Sequence, residues 1–195
     1  MKLIMATHNA NKAREIEIQL PEGYQLRTLT DIGWHDEIIE DADTLEGNAL
    51  IKARAVYEQT GETAFGDDTG LLVTALSDRP GVYTARYAGP QKDSNDNMTK
   101  LLQELEDKTD RSARFVTVIA LVGAQGECVF TGVCPGTITK ERSGEEGFGY
   151  DPIFQPTGYD RTFAQMPMSE KAPISHRGKA VAQLLNHLQN QMNSQ

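Results

Sequence analysis

The sequence predicts an α/β protein built on a mixed sheet, and three observations carry that prediction. Segments with helix and strand periodicity alternate through the first half of the chain. The long β-branched apolar run "ARFVTVIALVG", residues 113–123, reads as a central strand buried on both faces. Hairpin signals dominate after it, so one sheet must combine crossover and hairpin connections.

Taken in order, the chain opens with an apolar run over residues 3–6. It passes straight into "THNANK", and Ile16 and Leu20, four apart, then mark a first helix. "YQLRTL" reads as the second strand. The acidic loop "HDEIIEDAD" leads to a helix from about Leu45 to Gln59, with Ala49, Ala53, Val56 and Tyr57 on its apolar face. Asp43 and Glu46 have the spacing of a capping box for that helix. A short strand "TAF", a turn "GDDTG" and a strand "LLVTAL" follow. The loop "RPGVYTARYAGP" precedes the helix "NDNMTKLLQELE", with Met98, Leu101, Leu102 and Leu105 on one side. Beyond the central strand, "AQGE" makes a hairpin to "CVFTGV", and Pro135-Gly136 starts another short strand through Ile138. The Gly-rich loop "SGEEGFGYDP" comes next. The closing helix, "SHRGKAVAQLLNHL", turns Val181, Leu184, Leu185 and Leu188 inward. No repeat, low-complexity tract or linker interrupts the chain, so residues 1–195 read as a single domain.

The balance of 19 basic against 28 acidic residues gives a net charge of −9, which argues against a general nucleic-acid binder. No apolar run approaches the ~18 residues of a membrane span, and no N-terminal signal pattern is present. Cys128 and Cys134 lie in one apolar stretch. As a single strand, its six steps of ~3.3 Å would hold them about 20 Å apart, whereas a disulfide spans a Cα separation of roughly 4.4–6.8 Å. Free thiols without an export signal point to the cytoplasm.

Five stretches carry chemistry. In "THNANK" the Thr7 hydroxyl, the Asn9 amide, helix N-terminal N–H groups and the Lys12 ammonium would suit phosphate oxygens. The same residues also fit a plain Asn cap beside a solvated lysine. The chain has no Walker A pattern. "GDDTG" sets Asp67 beside Asp68, a repulsive pair that a cation would relieve. Magnesium, which takes one or two carboxylates plus waters and phosphates, suits it; so does an ordinary turn. "EDAD", residues 40–43, offers a further acid, or simply complements the dipole of the helix that follows. "GFGYDP" joins two glycines to two aromatic rings and an acid. "ISHRGKA" puts His176 and Arg177 at a helix start, where cations oppose the dipole.

In this order, "THNANK", "NALIKA", "DDTG", "PGVYTARYAG", "GFGYDPIF" and "EKAPISHRGKA" resemble the inosine triphosphate pyrophosphatase family, from Lys2 to about Leu188. Six motifs in register over nearly the whole chain make the resemblance specific. It implies hydrolysis of ITP, dITP and XTP to the monophosphate and pyrophosphate. The implied fold is two-lobed, a long mixed sheet flanked by helices with the active-site cleft between the lobes, in a homodimer. Carried onto this chain, the resemblance assigns the triphosphate to Thr7, His8, Asn9, Ala10, Asn11 and Lys12, with Lys52. Asp68 becomes proton acceptor and magnesium ligand, Glu40 the other metal ligand, and Thr69 a substrate contact. Phe148, Gly149, Tyr150, Asp151, Lys171, His176 and Arg177 form the implied base pocket. Two positions depart from the family pattern. Glu40-Asp41-Ala42-Asp43 replaces the common Glu-Thr-Gly, which lets Asp41 or Asp43 compete with Glu40, and Gly47 stands where many members have Glu.

Overall fold

The computed structural model describes residues 2–193. Seven strands and five helices follow in the order β1 (Lys2–Met5), α1 (Ala10–Glu17), β2 (Gln25–Thr28), α2 (Leu45–Thr60), β3 (Ala64–Val73), β4 (Arg79–Gly81), α3 (Ser94–Glu104), β5 (Ser112–Gly123), β6 (Gly126–Ile138), β7 (Phe154–Pro156), α4 (Met168–Ile174) and α5 (His176–Asn193). The sheet runs β2-β1-β3-β5-β6-β7, with β4 added to β3. β1 is parallel to β2 and β3, while β4 runs antiparallel to β3 and β7 to β6. The mixed α/β sheet expected from the sequence is therefore present.

Contacts divide the chain into two compact units. The first comprises Met1–Asp68, Thr117–Gly132 and His176–Gln195. Alternation along β1 splits its core between two faces of the sheet. Leu3 and Met5 pack with Ile16 of α1, Phe65, Ile119, Phe130 and Val181, Leu184 and Leu188 of α5. Ile4 faces the other way, against Val56 of α2 and Ala64. Two glycines set how closely helices approach. A Cβ on Gly66 would lie 2.4 Å from the Ala49 carbonyl oxygen and 2.9 Å from Lys52 Cβ, so α2 rests directly on β3. A Cβ on Gly132 would fall 1.9 Å from the His176 carbonyl oxygen, so the start of α5 rests on β6 in the same way.

The second unit comprises Thr69–Val116 and Val133–Ser175. Its core gathers Leu71, Met98, Leu101, Leu105, Ile138 and Ile153 around three aromatic rings. Phe154 has ring centroids 4.6 Å from Phe115 and 5.2 Å from Phe163. Each such buried side chain contributes about 1.5–3 kcal/mol relative to exposure.

The sequence misplaces four details. "GDDTG" is no turn: β3 runs unbroken through it, because the charges that argue against a strand meet cations from flanking helices. β6 likewise continues through Pro135. The Pro135 carbonyl accepts from Thr157 N–H at 2.9 Å, so its missing donor falls just beyond the end of β7. Cys128 and Cys134 thus share one strand, and neither forms a disulfide. α4 was not anticipated, since Pro173 near its end disguises a two-turn helix. Finally, Thr44 rather than Asp43 caps α2, its hydroxyl accepting from Gly47 N–H at 3.0 Å. Among the described residues no helix is long and apolar enough to cross a membrane.

Candidate functional site

In the first unit, the loop between β1 and α1 is held by its own side chains. Asn9 Oδ1 accepts from the N–H groups of Asn11 at 3.0 Å and Lys12 at 3.2 Å, and the Thr7 hydroxyl accepts from Asn9 N–H at 3.1 Å. The cap therefore exists, and it turns the other end of the Asn9 amide, a donor, toward solvent. His8, Asn9, Ala10 and Asn11 are exposed. His8 Nε2 also lies 3.3 Å from the Asp36 carbonyl oxygen, tying the loop to the acidic segment. Lys12 is no solvated lysine: its Nζ lies 3.0 Å from Asp67 Oδ2. Burial lowers the ammonium pKa, and Asp67 opposes that shift.

Strand period 2 sends the adjacent aspartates to opposite sides of β3. Asp67 is buried to 1% exposure, with Lys12 on one oxygen. Burial pushes its carboxyl up, but Lys12, Arg177 and Lys52 outweigh that and hold it far below the usual carboxylate range. Asp68 is half-buried and accepts from the Asn48 side-chain amide at 3.2 Å. Desolvation raises its pKa, helped by the Glu40 charge and opposed by Lys52, Lys12 and the Asn48 hydrogen bond.

Glu40 reaches this neighbourhood because α2 organises the acidic loop before it. Asn48 Oδ1 accepts from Ala42 N–H at 3.0 Å, so one buried amide tethers both the loop and Asp68. Gly47 is required by the same fold-back, since a Cβ there would sit 2.6 Å from Ala42 Cβ. Lys52, one turn further along α2, donates to Glu40 at 2.7 Å and to the Asp67 carbonyl oxygen at 2.6 Å. Asp41 and Asp43 are exposed. Among the described residues no group of three or more His, Cys, Asp or Glu side chains could hold a metal. Two carboxylates that repel each other, Glu40 and Asp68, suit a magnesium ion whose other ligands are waters and phosphates.

At the start of α5 the structure gives Arg177 two carboxylate partners. Arg177 is 2% exposed, and a guanidinium buried this deeply needs carboxylates around it. Its Nη1 donates to Glu15 of α1, and its Nε and Nη2 lie 3.4 Å from Asp67 Oδ2. Arg177 is thereby grouped with Lys12 and Asp67, and His176 beside it is also buried.

The other pocket residues lie in the second unit. Lys171 and Asp151, both almost fully buried, pair at 2.6 Å. Asp151 Oδ2 also accepts from Phe148 N–H at 2.9 Å, closing the "GFGYD" loop on itself. Lys171 Nζ sits 5.3 Å from the ring centroids of Phe148 and Phe163, within cation–π range. Phe148 and Gly149 are half-buried. Tyr150, by contrast, is buried and donates to the Thr84 carbonyl at 2.9 Å, so it anchors the loop. The Thr84 hydroxyl accepts from Leu71 N–H at 2.8 Å, two residues after half-buried Thr69.

Sequence reasoning missed Asn48, Glu15 and Thr84, and for Asp67 it missed that the relieving cations are Lys12 and Arg177. Asn48, Asp67 and Thr84 stood inside motifs already quoted, but their partners are distant in sequence. Glu15, 4% exposed, carried only the faint signal of an acid beside the apolar positions of α1.

The model of the Ham1 family matches residues 3–187. A protein of Flavobacterium psychrophilum named dITP/XTP pyrophosphatase is 52% identical over 190 residues, covering 97% of this chain and all of that one. One of the same name from Flavobacterium johnsoniae is 50% identical, with coverage of 96% and 98%. Among solved structures, the Ham1 protein of Staphylococcus aureus superposes with a TM-score of 0.89 at 36% identity, covering 98% of this chain and 100% of that one.

Proposed function

The chain belongs to the Ham1 family, and from that premise we propose its activity: it hydrolyses non-standard purine nucleoside triphosphates (ITP, dITP and XTP) to the monophosphate and pyrophosphate. It is a nucleoside triphosphate pyrophosphatase. The observation that carries the mechanism is the opposed environments of Asp67 and Asp68. A carboxylate held far below its usual pKa by cations is a poor base. One whose pKa is raised by desolvation is a better one.

Asp68 then accepts the proton of the water that attacks the α-phosphorus, as the bond to the leaving pyrophosphate breaks. Asn48 orients the Asp68 carboxylate for that transfer. Lys12, the first turn of α1 and the Asn9 amide supply fixed positive charge to the phosphates, where charge accumulates on the leaving group. Lys52 adds a second ammonium beside Glu40. Glu40 and Asp68 would hold magnesium, which neutralises phosphate charge when bound.

On the family resemblance, purine recognition is assigned to Phe148, Gly149, Asp151 and Lys171 of the second unit, and Thr69 contacts the substrate. Hypoxanthine and xanthine offer an acceptor at O6 and a donor at N1, whereas adenine offers the reverse. A site built to hydrogen-bond one pattern can reject its complement by ~10⁴ or more. Free thiols fit a cytoplasmic setting, and the family resemblance favours a homodimer. The test is pyrophosphate release from a panel of eight common and deaminated triphosphates, with and without magnesium. Rapid turnover of ITP and XTP alone supports the reading; equal turnover of ATP, or orthophosphate as first product, sinks it.

A further inference from the structure

The mechanism leaves two buried acids, Asp67 and Glu15, without a task. Asp67 is the least exposed ionic side chain of the first unit among the described residues, and it adjoins the proton acceptor in sequence. Its Oδ2 is shared by cations from two helices, Lys12 of α1 at 3.0 Å and Arg177 of α5 at 3.4 Å. Arg177 in turn donates to Glu15, which lies three residues after Lys12 on α1. Lys12, Asp67, Arg177 and Glu15 thus close a ring that returns to the helix where it began. Lys52, donating to the Asp67 carbonyl, fixes the strand at the same residue.

A lysine on four rotatable bonds has no preferred place for its ammonium unless a partner supplies one. Here the partner is Asp67, and the Arg177–Glu15 arm limits where the Asp67 carboxylate can go. We propose that Asp67 is a positioning residue for pyrophosphate release, acting through Lys12. Its carboxylate fixes the ammonium where the phosphates are received, while Arg177 and Glu15 brace that carboxylate from behind. The proposal rests on the phosphate role assigned to Lys12 above.

A double-mutant cycle separates this role from simple support of the fold. Lys12→Met and Asp67→Asn are made singly and together, and kcat/KM for ITP is measured alongside the Kd of inorganic pyrophosphate with magnesium. Lys12→Met should cost ~10–100-fold in the wild type, the range for a hydrogen bond to a charged group. In the Asp67→Asn background it should cost less than about 3-fold, because the ammonium no longer has a fixed place. Phe148→Ala serves as control and should cost the same factor in both backgrounds. If Lys12→Met costs its full factor in both, Asp67 only supports the fold and the proposal falls. Should Asp67→Asn fail to fold, Asp67→Glu keeps the charge while displacing it by one methylene, and the same reduced cost of Lys12→Met is expected. An undiminished cost of Lys12→Met there overturns the proposal equally. A wild type that releases no pyrophosphate from ITP would sink the functional reading instead. The cycle in pyrophosphate affinity would still decide the role of Asp67.

Discussion

Asp67 and Asp68 are consecutive on β3, and their carboxyl pKa values move in opposite directions. Alternation along the strand gives Asp67 two cations and leaves Asp68 with an amide donor and the nearby charge of Glu40. A repulsive dipeptide is thereby divided into one carboxylate held ionised by cations and one that burial makes harder to ionise.

Asp68→Asn should abolish turnover while ITP still binds, with kcat down at least ~10²-fold, as for removal of an acid–base group. Near-wild-type kcat would remove Asp68 from the mechanism.

The same substitution should raise Tm at neutral pH. The folded pKa of Asp68 lies above its ordinary value of 3.8, so ionising it costs folding free energy. That cost is absent below the unfolded pKa, grows as pH rises through the shifted range, and is complete above the folded pKa. The Tm advantage of Asp68→Asn in metal-free buffer should therefore appear above about pH 4 and then level off. An advantage that persists unchanged at pH 3 would point to another cause.

Activity should require a divalent cation, with magnesium sufficient. Glu40→Gln should raise the magnesium concentration needed for half-maximal rate more than Asp41→Asn or Asp43→Asn, whose side chains face solvent. Greater sensitivity at Asp41 would shift the metal loop by one residue.

Arg177→Ala should slow ITP and ATP by similar factors, since its guanidinium is occupied by Glu15 and Asp67. Kinetics on the two substrates decide this. A loss confined to ITP would instead return Arg177 to reading O6, the role the family resemblance implies.

Tyr150→Phe should lower stability by about 1 kcal/mol, the typical net value of one hydrogen bond. For a chain of this size that is a Tm drop of roughly 2–4 °C. No change would mean that the Thr84 carbonyl finds another donor.

The fold was largely legible because its elements carry clean periodicities. The buried run of β5, the apolar stripe of α3 and the inward face of α5 all fall where the sequence puts them. The errors arise where charge, not hydrophobicity, decides. Nothing local reveals that "GDDTG" can stay extended, since Lys12 lies 55 residues before Asp67 and Arg177 lies 110 after it. For the same reason the ion-pair partners of Arg177, Glu15 and Asp67, cannot be read from its own motif. The motifs marked which residues matter, while their pairing depended on contacts between distant segments.

Gly66 and Gly132 carry a practical consequence for anyone seeking to broaden substrate range by random mutagenesis. Both lie where a single methyl group would meet the backbone of α2 or α5, the helices that bring Lys52 and Arg177 to their acids. Substitution at either should register in a screen as general loss of function, although neither glycine has a side chain with which to touch a nucleotide. Libraries are better spent on the half-buried residues around Phe148 and Thr69, with codons 66 and 132 left untouched.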